Sequence, residues 1–191
     1  MGRKPQITKE IILETAFRML IRDGHTAINV KTLSAEIGCS TQPIVWHFEN
    51  MNGFWQAFSE YCIAYAKSQF TVWNDNVDDL LTETARKYIA IACNTPNLFW
   101  FVFADSNVDR KNSKVVHAMQ LESTGRIIEL LCQEKGLTER QAASFLMNYE
   151  FYIHGVASFT ASGFCCYPEE EIVAMANQAK DAFLAYEMKH L

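Results

Sequence analysis

Apolar residues recur every three to four positions through nearly the whole chain, and this pattern confines it to an all-α fold. In the first stretch Ile12, Leu13, Ala16, Phe17 and Leu20 fall at the spacing of one buried helix face. Thr8 stands as its N-cap and Gly24 ends it. A short segment from Val30 to Ile37 follows, with Asn29 as N-cap, Leu33 and Ile37 inward and Gly38 as its stop. Ser40 caps a second short segment, Thr41 to Phe48, whose apolar positions are Ile44, Val45 and Phe48. Pro43 fits there because it lies in the first turn, where its missing N–H has no helical acceptor. Two short helices about a tight glycine-containing turn make a helix-turn-helix. Downstream, Asn50 caps a helix bearing Phe54, Phe58, Cys62 and Tyr65 along one face. Thr95-Pro96 reads as an N-cap with an N1 proline, and a helix from near Asn112 to Lys135 stops at Gly136. Thr138-Glu139-Arg140-Gln141 is a capping box that opens a helix to about Ser162. Pro168-Glu169-Glu170-Glu171 puts a proline and three carboxylates at the positive end of a last helix. The total is about nine helices and no strand. With 8 Gly and 4 Pro in 191 residues, the chain has too few turn formers for an all-β fold.

That length suits one domain, or a small module joined to a larger one, with a core that needs no disulfide or metal. The start, Met1-Gly2-Arg3-Lys4-Pro5, leads into an amphipathic stretch and not into a signal peptide. Two uncharged stretches, Tyr88 to Ala104 and Phe151 to Pro168, are too polar to span a bilayer. The six cysteines (Cys39, Cys62, Cys93, Cys132, Cys165, Cys166) show no C-x-x-C spacing, so reduced thiols are expected. These features predict a cytoplasmic protein with no membrane role. The net charge is -5, but it is uneven: residues 1–50 hold six Lys/Arg against five Asp/Glu, and the remainder eleven against seventeen. Anion binding is therefore expected near the N-terminus.

No catalytic constellation emerges. There is no glycine-rich phosphate loop, no G-x-S-x-G and no H-E-x-x-H, so neither an enzyme, nor a cofactor, nor a metal is expected. Asp78 and Asp79 are adjacent and point to different helix faces, which suits a solvated surface or cap. Cys165-Cys166 reads as a pair of small buried hydrophobes, with a redox or thiol-reactive sensor as the sharper alternative.

The helix-turn-helix carries more. Its second helix places Thr41, Gln42 and His47 at leading and outer positions with Trp46 beside them, residue types suited to major-groove edges and phosphates. Arg3, Lys4 and Lys9 add positive charge ahead of it. Ile12, Ala16, Leu20, Gly24, Leu33, Ser34, Gly38, Ser40, Ile44, His47 and Phe48 fall on or near the pattern I-x-x-A-A-x-x-L-F-x-x-x-G followed by T-x-x-x-I-A-x-x-x-G-V-S-x-G-x-L-Y-x-H-F. Over about residues 6–66 the sequence thus resembles the N-terminal domain of the tetracycline-repressor (TetR) family of regulators.

The resemblance implies a DNA-binding domain over 6–66, with its helix-turn-helix at 29–48, and an effector-binding and dimerisation domain over 67–191. It assigns Asn29, Val30 and Lys31 to phosphates or a base, and Ser40, Thr41, Gln42, Pro43, Val45, Trp46 and His47 to the recognition helix and its approach. Val45 and Met51 stand where the family commonly has Tyr and Lys, which removes two phosphate contacts and lowers the expected salt dependence. The partners it implies are a double-stranded palindromic operator, a second copy of the chain held through the last two helices, and a small-molecule effector. The C-terminal region is rich in rings and lacks Lys/Arg clusters, so the expected effector is apolar or aromatic. Its contacts are expected among Trp73, Tyr88, Phe99, Phe103, His117, Tyr149 and Tyr152. His154 reads as a satisfied core or interface histidine. The alternative is a helical-bundle small-molecule or lipid-binding protein, or an enzyme, with no DNA role.

Overall fold

The computed structural model describes residues 7–70, 72, 74–103, 124–164 and 166–189. Among these residues the chain is all-α, with no strand. The helices are α1 (Lys9–Asp23), α2 (Val30–Ile37), α3 (Gln42–Phe48), α4 (Met51–Phe70), α5 (Val77–Asn94), α6 (Pro96–Phe103), α7 (Gly125–Lys135), α8 (Glu139–Ala161) and α9 (Glu169–Lys189). The helix expected from near Asn112 is described from Gly125 onward; its first residues lie outside the described residues, as do Trp73 and His117. No helix of the described residues is long and apolar enough to cross a membrane.

Local chemistry sets most of the ends. The Thr8 hydroxyl accepts from the Ile11 N–H, and Gly24, at φ 81°, closes α1 by donating to Leu20 O. Thr138 and Gln141 form the expected capping box of α8. Two caps differ from expectation. Thr41, not Ser40, occupies the N-cap of α3, already with helical dihedrals (φ -71°, ψ -15°) and with no side-chain cap bond. A hydroxyl in that conformation does not reach back over the first turn. At Thr95 the hydroxyl donates to Ile91 O instead of capping α6, so it finishes α5.

Two apolar cores hold the helices together. The first takes Ile12, Ala16, Leu20, Leu33, Ile44, Phe48, Phe54 and Phe58 from α1–α4, and Leu98, Phe99, Phe101 and Val102 from α6. The second takes Leu81, Ala85 and Ile89 from α5, Leu131 from α7, Phe145, Tyr149 and Ile153 from α8, and Ile172 and Ala176 from α9. Helices α5 and α8 span the two, because Ile91, Ala92 and Ala157 belong to the first core; Asn97 Nδ2 of α6 donates to Ile21 O of α1 at 3.1 Å. Asp78 is not the solvated surface group expected from sequence. It pairs with Lys135 of α7 and lies 3.6 Å from Lys180 Nζ of α9. Lys180 also donates to Thr82 Oγ1 at 3.2 Å.

The α3–α4 corner is tight. Asn50 Oδ1 accepts from the Gly53 N–H at 3.0 Å, as expected of a cap. A Cβ at Gly53 would stand 2.3 Å from the carbonyl oxygen of Phe48. Helix propensity alone favours Ala over Gly by about 0.5–1 kcal/mol, but the clash is with backbone and outweighs it. Gly53→Ala is therefore expected to destabilise the chain by about 1–2 kcal/mol net, in the overpacking range. Thermal unfolding checks this, and a raised midpoint would show that the corner yields freely.

Candidate nucleic-acid interface and effector region

Helix α2 begins at a well-made cap. Asn29 Oδ1 accepts from the N–H groups of Lys31 (3.0 Å) and Thr32 (3.1 Å), and Thr32 Oγ1 accepts from the Asn29 N–H (3.0 Å). The Asn29 carbonyl oxygen is thereby used locally, while its amide nitrogen remains a donor. Lys31 is exposed at the same end, whereas Val30 is half-buried and packs on the first core. Gly38, with φ 76° and ψ 33°, ends α2 in the left-handed region. The Cys39 N–H then donates to Ser34 O at 3.0 Å, so the chain reverses within a few residues toward α3.

Helix α3 separates its faces cleanly. Ile44 and Phe48 are buried, and Val45 and Trp46 are exposed at 50% and 73%. Ser40, Thr41 and Gln42 are exposed ahead of them, with Pro43 half-buried. Val45 and Trp46 together give the outer face of α3 an adjoining pair of open apolar side chains. His47 is more engaged than expected: its Nε2 lies 2.8 Å from Ile7 O, which ties α3 to the segment entering α1. Trp46 packs edge-on against the His47 ring at 4.6 Å.

The basic groups nearby divide into two sorts. Lys31 projects into solvent. Lys9 sits over the Phe48 ring, 5.3 Å from its centroid. Arg22 is held by Asp23 at 2.8 Å and Glu36 at 3.0 Å, and the Arg22 guanidinium keeps the Glu36 carboxyl below the usual range. Arg22 thus fastens α1 to α2 and is already neutralised. Arg3 and Lys4 lie outside the described residues.

Of the residues expected to meet an effector, the structure gathers Tyr88, Phe99 and Phe103, at centroid separations of 4.9 to 5.6 Å. His154 completes this cluster. Its ring stacks on Phe99 at 5.9 Å, and the Tyr88 hydroxyl lies 2.7 Å from His154 Nδ1. Desolvation by the surrounding rings lowers the His154 pKa, which favours a neutral imidazole that accepts from Tyr88. Sequence reasoning set His154 aside as a satisfied histidine. It is hydrogen-bonded, yet it stands at the edge of a ring cluster, a placement that helical spacing alone does not show. Tyr152 instead packs edge-on against Phe183 of α9, at 6.3 Å.

Tyr149 lies in the second core, stacked on Phe145 at 5.7 Å. Its residue is 2% exposed, and its hydroxyl is the one buried side-chain polar atom without a hydrogen-bond partner among the described residues. An unsatisfied buried hydroxyl costs about 1–3 kcal/mol. Tyr149→Phe is therefore expected to raise the stability of the ligand-free chain by about 1 kcal/mol. A lowered midpoint in scanning calorimetry would mean that the hydroxyl is hydrogen-bonded in solution.

No protein-family model matches the sequence, and no curated protein matches it. Solved structures do resemble it in fold. A variant of TetR from Acinetobacter baumannii AYE, in complex with minocycline, superposes with a TM-score of 0.63 at 15% identity, covering 95% of this chain and 96% of that one. TetR from the same source gives 0.60 at 16% identity, with 95% and 96% covered. A chain from Rhodococcus sp. assigned to the TetR family of transcriptional regulators gives 0.64 at 14%, with 91% and 96% covered. The all-α architecture described above is the TetR fold, carried over nearly the full length of each of these chains.

Proposed function

With the TetR fold as the premise, we propose that this chain is a one-component transcriptional regulator. Its α2–α3 unit binds an inverted-repeat operator, and a small apolar or aromatic molecule in the region after about residue 66 shifts it to a form that no longer fits the DNA. The observation that carries the reading is the face of α3: Gln42, Val45 and Trp46 open to solvent over a buried Ile44 and Phe48. Lys31 and the Asn29 amide stand at the adjacent end of α2 to meet phosphates. Repression is the expected outcome of such binding.

Homodimerisation through α8 and α9 fits the exposed apolar side chains there. Met147, Phe151 and Phe159 on α8, and Tyr186 and Met188 on α9, are 46–70% exposed, more apolar surface than two solvent-facing helices ordinarily present. Two recognition helices in such a dimer would read half-sites one helical turn apart. The cluster of Tyr88, Phe99, Phe103 and His154, together with the unpartnered Tyr149 hydroxyl, supports a neutral ring-bearing effector with a hydrogen-bonding atom.

Gel-shift titration of the full chain against inverted repeats of about 12–20 base pairs, with light scattering for mass, tests the reading. At least roughly tenfold preference over bulk DNA is expected, from a dimer. On the preferred duplex Gln42→Ala should cost about 1–3 kcal/mol and relax base preference, while Lys31→Ala weakens binding to all sequences alike. No preferred duplex, or a monomer at micromolar concentration, would defeat the proposal.

A further inference from the structure

A solvent-open hollow of about 500 Å³ lies where the end of α5, the start of α6, the end of α8, the α8–α9 connection and the start of α9 meet. It shares no lining residue with the Tyr88–His154 cluster. Its walls include Cys93, Asn94, Pro96, Cys166, Tyr167 and Glu169. Two thiols from separate elements thus face one space of the size that takes small organic molecules. They differ in access: Cys93 is half-buried, and Cys166, expected from sequence to be buried, is the one exposed cysteine among the described residues because it lies in the α8–α9 connection. The Cys166 thiol donates weakly to Gly163 O at 3.5 Å. Asn94 Nδ2 donates to Glu169 Oε2 at 3.3 Å, and an amide nitrogen carries a second hydrogen. The Tyr167 ring, 56% exposed, offers a flat apolar wall. No Lys or Arg lines the cavity, so an anion would find no counter-charge.

We propose that this cavity is a covalent site for neutral, ring-bearing α,β-unsaturated carbonyl compounds, with Cys166 as the nucleophile. The compound docks with its ring on Tyr167 and its carbonyl oxygen toward the Asn94 amide. The Cys166 sulfur bonds to the β-carbon of the alkene. The alkene π pair moves toward the carbonyl as an enolate, and the thiol proton ends on the α-carbon, carried by water or by the Glu169 carboxylate. Every atom of both reactants stays in the adduct, and no oxidant is needed. A thiol beside a binding cavity differs from a merely exposed one because the ligand must dock before it reacts, so the rate saturates with ligand concentration.

The site does not rest on the regulator reading, because labelling is read by mass with no DNA present. The full chain is treated with N-phenylmaleimide over a concentration series, and the labelled residue is identified by peptide mapping. Cys166 should react first, at least tenfold faster than Cys39, with a rate that levels off. Tyr167→Ala removes an exposed loop ring and leaves the thiol open. It should slow N-phenylmaleimide at Cys166 at least fivefold, while iodoacetamide, which has no ring, reacts within twofold of wild type. A rate linear in probe, a rate unchanged by Tyr167→Ala, or first labelling at Cys39, Cys93, Cys132 or Cys165 overturns the proposal.

Discussion

Phe58→Ala is expected to remove about 3–5 kcal/mol of folding stability, the range for emptying a fully buried aromatic site. Phe58 is 0% exposed. It stacks on Phe54 at 5.5 Å and 11°, and meets Phe101 of α6 at 5.4 Å. Trp55 packs edge-on at 5.9 Å. Rings from two helices cannot collapse into the hole without moving α4 or α6, so the cavity persists. A domain of this size holds only about 5–15 kcal/mol in all, so the variant should lie near its unfolding threshold. Urea denaturation measures the loss, and Phe58→Leu, which keeps most of the volume, should recover the larger part. A loss below about 1 kcal/mol would show that the first core is looser than these contacts indicate.

Asp78→Ala is expected to cost about 3 kcal/mol at neutral pH. Its effect falls mainly on Lys180, which is 7% exposed and would be left with the Thr82 hydroxyl and the largely exposed Asp181 carboxylate at 3.9 Å. Breaking a buried pair by removing one member costs about 3–5 kcal/mol; the low end applies because the Asp78 side chain is 39% exposed and partly screened. The pH dependence has a definite sign. Burial acts to raise the Asp78 pKa, but the hydrogen bond and charge of Lys135, with the charge of Lys180, hold it below its ordinary value. A depressed carboxylate stabilises the fold above its unfolded pKa of about 3.9. That contribution disappears as pH falls through the folded value. The gap between wild type and Asp78→Ala should therefore be full at pH 7 and narrow below about pH 4. A gap independent of pH would remove Asp78 from the network.

Much of this was legible in the sequence because it is written in local rules. Thr8, Asn29, Asn50 and the Thr138–Gln141 box cap the helices they were expected to cap, and Ile44 and Phe48 face inward by simple spacing. The exposure of Gln42 and Trp46 follows from the same count, whereas Val45, grouped with the apolar positions, lies open at 50%. Contacts between distant segments were not legible. Nothing in the spacing near Asp78 announces Lys135 and Lys180, which reach it from α7 and α9. The pairing of Tyr88 with His154, 66 positions apart, and of His47 with the Ile7 carbonyl are of the same kind. Thr95 stands just before Pro96 as expected, but its hydroxyl turns back to Ile91 O because a hydroxyl at a helix boundary has more than one acceptor within reach; α3 takes Thr41 and not Ser40 as its N-cap. Periodicity marked Tyr149 as inward, but only packing leaves its hydroxyl unmatched.

The first core has a bearing on how such chains diversify. Its walls come from α1–α4 and from α6, with Ile91 and Ala92 at the end of α5 and Ala157 near the end of α8 completing them. A crossover placed after α4 would carry off the α2–α3 unit with one side of its interior missing, exposing Phe58 wherever the new α6 did not match its contact with Phe101. The operator preference proposed for α3 would therefore not be a detachable cassette. Exchange between chains should succeed when the inherited piece brings its own α6, or when change is confined to Gln42 and Val45 on the solvent face of α3, which leaves the buried Ile44 and Phe48 in place.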